Sequence, residues 1–264
     1  MKTFVCIKRV PDTSEAEVKV DATGKGVDSS RFSFDINDAD NYAVEESILI
    51  KEAKKEGTVQ VLCIGPQDAD VMIRMALAKG GDSAIRVEDP RINVKDPVQV
   101  AKVLAAAIKQ EGECDLVLTG CMSADNWNMA VGVALAEELG IPHAAMVNKV
   151  EVLDGKVKVN RELEGGLSEV LEMTLPAVLT IQTGINEPRY APIRGIRAAQ
   201  KKELKVVGLD DLGVAEDEVS EANSLVELKK LYVPEVESKA EIIEGEPEEK
   251  AEKMAEKLVK GGLL

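Results

Sequence analysis

Aromatic side chains make up only 3% of the 264 residues: one Trp, three Tyr and three Phe. A core so poor in rings is built from Val, Ile, Leu, Ala and Met, which suits a parallel sheet covered by helices. Histidine occurs once, at His143, and the four cysteines, Cys6, Cys63, Cys114 and Cys121, form no Cys-x-x-Cys pair. A zinc centre takes about four N or S ligands, so no metal is expected. A single histidine also leaves no Ser/His/Asp or Cys/His set for nucleophilic catalysis. Basic surplus is missing too. The formal net charge is −15, which argues against nucleic acid as a partner, because phosphate binding needs a basic face. No apolar segment reaches the roughly 18 residues of a transmembrane helix. The apolar run Thr3-Phe4-Val5-Cys6-Ile7 begins so early that no signal peptide is expected. The cytoplasm is the expected compartment, in keeping with free thiols at Cys6 and Cys63 inside apolar runs. No Gly-x-Gly-x-x-Gly follows the first apolar run, and Gly24-Lys25-Gly26 lacks the Walker spacing and reads as a hairpin turn.

What is present is alternation. Apolar runs at Phe4–Ile7, Val59–Ile64, Ala84–Val87 and Leu116–Thr119 read as strands. Between them Tyr42–Lys55, Asp68–Lys79 and a segment from Asp96-Pro97 to Gly112 carry apolar residues at helical spacing, and Met129–Leu139 follows the last strand. Asp96 is an expected N-cap with Pro97 at the first helical position. The fold class is therefore α/β, a doubly wound, mainly parallel sheet with right-handed crossovers. Such sheets bind ligands at the carboxyl ends of their strands, where the strand order reverses. The pattern then changes: Met146–Leu153 and Lys156–Leu163 flank Asp154-Gly155, a hairpin signal, and Glu169–Leu175 and Ala177–Ile181 add strands. Residues 1–183 read as the α/β domain with a β-hairpin insertion. Residues 184–264 show no regular core pattern and read as a loop and a C-terminal arm, ending in an amphipathic helix over Pro247–Leu258.

Residues 119–132, Thr-Gly-Cys-Met-Ser-Ala-Asp-Asn-Trp-Asn-Met-Ala-Val-Gly, are a strand end, a turn of small residues and a helix start. Free N–H groups and the helix dipole there can hold a phosphate without Lys or Arg. Ser123, Asp125, Asn126 and Asn128 could add hydrogen bonds, and an ordinary capped helix start remains the alternative.

Residues 159–180 read Val-Asn-Arg-Glu-Leu-Glu-Gly-Gly-Leu-Ser-Glu-Val-Leu-Glu-Met-Thr-Leu-Pro-Ala-Val-Leu-Thr. Through Arg161, Glu164-Gly165-Gly166, Glu169, Leu171, Pro176 and Val178-Leu179-Thr180 they resemble the consensus of electron-transfer flavoprotein β subunits. The start Val5 to Thr13, the pair Ile36-Asn37 with Tyr42–Glu46, Gly65-Pro66, Ala76–Asp82 and Asn186–Ala191 are similar to the same family, so the resemblance covers residues 1–213. It implies one half of an αβ dimer whose mobile FAD-carrying part comes mostly from the α subunit. It also implies a nucleotide in this subunit, FAD in bifurcating members or structural AMP in others. By motif position that nucleotide lies against Cys6, Lys8, Asn37, Ile64, Gly65, Pro66 and the turn from Gly120 to Gly132, with Asn126, Met129, Ala130 and Val131 at the phosphate. Where many relatives carry a Gly-Asp or acidic pair and then Gln, this chain has Asn126-Trp127 and Ala130; backbone donors can take the place of the Gln. Trp127 could stack on a ring or pack at an interface.

The run Val10-Pro11-Asp12-Thr13 looks like the loop of FAD-containing members, which implies FAD, a further FAD in the α subunit, and electrons drawn from NADH or ferredoxin. Residues 184–200 resemble the loop that docks on partner flavin dehydrogenases. There Ile193 would be the apolar anchor, beside Tyr190, with Arg189, Arg194 and Arg197 steering the encounter. A solvated basic loop is the alternative. Two other functions stay in view. A nucleotide-hydrolysing enzyme of related fold would need a Ser-Gly-Gly-x-Asp-Ser loop, where Lys8-Arg9-Val10-Pro11 stands. A purely structural subunit would bind no nucleotide.

Overall fold

The computed structural model describes residues 1–14, 17–234 and 240–264. In chain order its elements are β1 (Lys2–Cys6), β2 (Arg9–Asp12), β3 (Ser33–Ile36), α1 (Asp38–Lys54), β4 (Thr58–Ile64), α2 (Asp70–Lys79), β5 (Ser83–Val87), α3 (Pro97–Gln110), β6 (Leu116–Gly120) and α4 (Val131–Leu139). There follow β7 (His143–Val152), β8 (Lys156–Glu162), β9 (Ser168–Thr174), β10 (Ala177–Ile181), α5 (Ile193–Ala199), β11 (Leu204–Val207), α6 (Leu209–Leu212) and α7 (Pro247–Lys260). None of the described helices is long and apolar enough to cross a membrane.

Among the described residues the main sheet has nine strands in the order β11-β5-β4-β1-β6-β10-β7-β8-β9. It is parallel from β11 to β7, and β8 and β9 extend it as an antiparallel ribbon. Alternation along each central strand divides the core in two. Val5, Val61, Leu118 and Leu179 face α1 and α2, while Phe4, Leu62, Val117 and Val178 face α3 and α4. Phe4 is the only aromatic ring in the buried core of the described residues. The expected reliance on aliphatic packing is what fills both layers. From β1 the chain winds outward to β4 and β5, then returns to place β6 on the other side of β1. The strand order reverses between β1 and β6, and a crevice at their carboxyl ends follows from that topology.

Two expectations shift. The helix expected from Met129 begins at Val131, because Met129 itself has a left-handed backbone (φ 52) that cannot continue into a helix. The segment after residue 183 is not all arm. α5 packs on α2, β11 joins the sheet beside β5, and Ala199, Leu209 and Val219 are fully buried. The four residues Leu204–Val207 are too short a run, set among charges, to announce a strand. The hairpin β2–β3 was likewise unannounced; Arg9 lies 3.2 Å over the Phe34 ring within it. The expected turn at Gly24-Lys25-Gly26 is present, closed by the bridge between Val20 and Val27.

Asp96 joins two parts of this architecture. Its Oδ1 accepts from the backbone N–H of Val98 (2.8 Å) and Gln99 (3.4 Å), capping α3 as expected. Its Oδ2 accepts from Ser224 Oγ (3.0 Å) and Leu225 N–H (2.7 Å), so the same buried carboxylate pins the outgoing chain to the start of α3. Asp96→Ala removes the cap and leaves buried donors unpaired. It is expected to cost about 2–4 kcal/mol in a denaturant-unfolding measurement.

Candidate functional site

The crevice at the switch point is an open cleft with about 830 Å³ of empty space, counting its solvent-filled mouth, and it lies where open α/β sheets bind ligands. Its floor is the end of β1 (Cys6, Ile7, Lys8), the end of β6 (Thr119, Gly120) and Ile64 at the end of β4. One wall is the turn 121–130 running into α4; the other is apolar, formed by Val94, Pro97, Val100 and Leu104 at the start of α3.

One carboxylate fixes the floor. Asp40, in the first turn of α1, accepts the backbone N–H of Lys8 at 2.8 Å on Oδ2 and that of Gly120 at 3.0 Å on Oδ1. It therefore ties together the ends of the two strands between which the crevice opens. A Cβ on Gly120 would collide with Asp40 and Ala39, so glycine is required for α1 to come this close. Burial pushes the Asp40 carboxyl up to about 7, outweighing the donors of Asn37, Lys8 and Gly120 that favour the ionised form.

The buried Asn37 holds the turn in shape. Its Nδ2 donates to the Met122 carbonyl (2.8 Å) and its Oδ1 accepts from Ala124 N–H (2.9 Å). Lys8 Nζ reaches Asp125 Oδ1 at 2.7 Å and Ser123 Oγ at 3.4 Å, closing the turn from the other side. Trp127 donates its indole N–H to the Ala124 carbonyl (2.8 Å), and its ring is 66% exposed. Trp127 and Met129 both hold left-handed backbones, φ 54 and 52, which costs a non-glycine residue free energy and sharpens the bend into α4. No side chain caps α4, in contrast to α3, so its first N–H groups are left for another acceptor. A Cβ on Gly132 would collide with Thr180 and Thr119; the glycine lets the start of α4 lie directly on the sheet. Cys6 and Cys121 also line the cleft, and burial pushes both thiols up, which disfavours the thiolate form.

Of the residues singled out from sequence, Cys6, Lys8, Ile64, Gly120, Ser123, Asn126, Asn128, Met129, Ala130, Val131 and Gly132 line the cleft. Asn37 and Asp125 support it from behind through the bonds just given. Gly65 and Pro66 follow Ile64 into the start of α2 and do not line it. Pro11 and Asp12 are not brought to the cleft: they pair with Phe34 and Ser33 in the β2–β3 hairpin. Sequence reasoning missed Asp40, Lys95 and the α3 wall. Val100 and Leu104 carry the helical spacing of ordinary core, and nothing local separates them from it.

A family model described as the electron transfer flavoprotein domain matches residues 27–212. The chain belongs to the electron transfer flavoprotein family. It is 37% identical over 257 residues to electron transfer flavoprotein subunit beta of Methylophilus methylotrophus, covering 96% of each chain. The subunit beta of Bacillus subtilis is 35% identical over 256 residues, again 96% of each. That of Bos taurus is 38% identical over 217 residues, 81% of this chain and 84% of its own. The likeness to subunit beta extends over nearly the whole chain, beyond the α/β core.

Because the Asp40 carboxyl is raised by burial, it favours the folded state most below its ordinary value of 3.8 and loses that contribution as pH rises through about 7. Asp40→Asn removes this titration. The stability advantage of wild type over the variant is expected to shrink between pH 4 and pH 7, read from urea unfolding across that range.

Proposed function

We propose that this family member is the β subunit of a heterodimeric electron-transfer flavoprotein, with an adenine nucleotide in the switch-point cleft. The observation that carries the reading is the cleft itself: an apolar wall from α3 suited to a ring, facing an uncapped helix start suited to a phosphate. The residues present fit such a group. Asn126 and Asn128 offer amide hydrogen bonds and Ser123 a hydroxyl. Lys95 lines the mouth and makes no ion pair among the described residues.

The nucleotide we propose is FAD, with AMP as the alternative; the preference rests on the resemblance of Val10-Pro11-Asp12-Thr13 to the FAD-containing members. A flavin supplies the redox chemistry when bound: hydride uptake from NADH, and electrons passed singly to ferredoxin and through the α-subunit FAD to a flavin dehydrogenase. The chain's own part is positional. Asp40 and Asn37 fix the floor and turn, the first N–H groups of α4 would hold the phosphate, and the apolar start of α3 would exclude water from one side. With AMP in its place the subunit is a scaffold for a single-electron shuttle. A hydrolase reading is disfavoured because Lys8-Arg9-Val10-Pro11 stands where such enzymes carry their Ser-Gly-Gly-x-Asp-Ser phosphate loop.

Residues 184–200 are the proposed docking loop. Tyr190 and Ile193 are 97% and 74% exposed at its tip, and Arg194 and Arg197 lie beside them in α5. Arg189 has a different role from the steering one expected. Its guanidinium is tied to Glu45 at 2.8 Å and Glu52 at 2.7 Å, within the subunit. The arm from about residue 225 is proposed to pack on the α subunit, and the compartment to be the cytoplasm.

The test is co-expression with the α subunit and analysis of flavin and nucleotide in the purified complex. Two FAD per dimer without AMP is expected. One FAD with one AMP overturns the FAD assignment, and one FAD with no other nucleotide overturns the nucleotide reading of the cleft. Ile193→Ala is expected to slow electron transfer with the dehydrogenase about tenfold or more, as loss of a central anchor does, at unchanged flavin content. An unchanged rate removes the anchor role.

A further inference from the structure

The exposed side chains of Tyr190, Ile193 and Ile196 sit on a segment that is tied down at both ends. Before it, Asn186 Nδ2 donates to the Tyr42 carbonyl (3.1 Å) and to Glu46 Oε2 (2.9 Å) on α1. Arg189 then donates its backbone N–H (3.0 Å) and Nε (2.9 Å) to Glu45 Oε2, and its Nη1 to Glu52 Oε1 (2.7 Å). The Glu45 side chain is 4% exposed, so this is a bidentate pair against a buried carboxylate, a stronger tie than a surface ion pair.

At the far end α5 and α2 exchange caps. Arg74 of α2 donates from Nη1 to the carbonyls of Ala199 (2.7 Å) and Lys202 (2.6 Å), satisfying the end of α5. Lys202 in turn donates from Nζ to the carbonyl of Leu77 (2.9 Å) and to that of Gly81, satisfying the end of α2. Between the ties, Gly195 brings α5 against the Ala78 carbonyl so closely that a Cβ would collide with it. A loop whose tip is apolar and open to water is thus fastened by polar bonds at its two ends.

We propose that Glu45 and Arg74 are positioning residues that hold Tyr190, Ile193 and Ile196 in one pose for the partner flavin dehydrogenase. This rests on the docking reading given above and deepens it. The partner's surface is characterised by complementarity: an apolar pocket for Ile193, rimmed by carboxylates. In a chain of net charge −15, Arg194, Arg197 and Lys201 cluster here and make no ion pair among the described residues. Fixing an interface segment before the encounter removes an ordering cost from binding, so the ties lower the concentration at which the partner is captured without touching the redox centre.

The experiment uses the αβ complex. Glu45→Gln removes the charge beneath Arg189 at constant volume, and Arg74→Met removes the other tie, serving as a second variant should the first fail to assemble. In each, amide hydrogen exchange over residues 189–199 is expected to quicken about tenfold, with β1 and α4 unchanged. Nucleotide content stays at the wild-type level. With an acyl-CoA dehydrogenase that reduces the wild-type complex as probe, KM for the complex rises about tenfold while kcat stays within about twofold. Glu45→Asp restores part of the loss. Unchanged exchange in both variants overturns the positioning role, and so does exchange quickened throughout the subunit. Quickened local exchange with unchanged KM overturns the link to docking. Ile193→Ala separates the two ideas: if it leaves electron transfer intact, the docking reading falls while the exchange result still reports on the ties.

Discussion

Everything at the cleft depends on the double acceptance of Lys8 and Gly120 N–H by Asp40. Parallel strands diverge at a switch point, and their terminal N–H groups lose their ladder partners there. One carboxylate from the first turn of α1 satisfies both and sets the width of the gap. The arrangement demands a buried acidic side chain and a glycine at 120, and both are present. The turn 121–130, the Asn37 brace and the start of α4 are built on the positions those two strand ends take.

α1 and α2 connect this floor to the segment 186–202. Each begins beside the cleft, α1 at Asp40 and α2 just after Ile64, and each supplies ties to the segment 186–202 further along. Both helices are packed on the sheet through Val44, Ile48, Ile73 and Leu77, in a core whose close packing transmits strain. The same two helices thus link the switch-point cleft to the proposed docking tip.

Much of this was legible in the sequence. The parallel strands announce themselves because a sheet covered on both faces needs unbroken apolar runs, and Val59–Ile64 is one. Asp96-Pro97 announces α3 because capping is local chemistry. The turn 119–132 was readable as a strand end running into a helix start, a place where N–H groups can be left for a phosphate, with an ordinary capped helix start as the alternative. Three features were hidden. Asp40 looks like any acidic residue in a helix's first turn, and only the tertiary approach of β6 gives it its role. Arg189 read as a free charge because Glu45 lies 144 residues away. Val100 and Leu104 face the cleft with the same periodicity that would face a core. In each case the information is in spacing through space and not along the chain.

The thiols add a last point. Cys6 stands at the floor of the cleft, Cys63 is driven up to about 12 chiefly by burial, and Cys121 is raised beside them. The thiolate is the form that peroxides, alkylating agents and disulfides attack. By burying these sulfurs the fold favours the thiol over the thiolate, so the form that such reagents need is withheld at the very floor of its cleft.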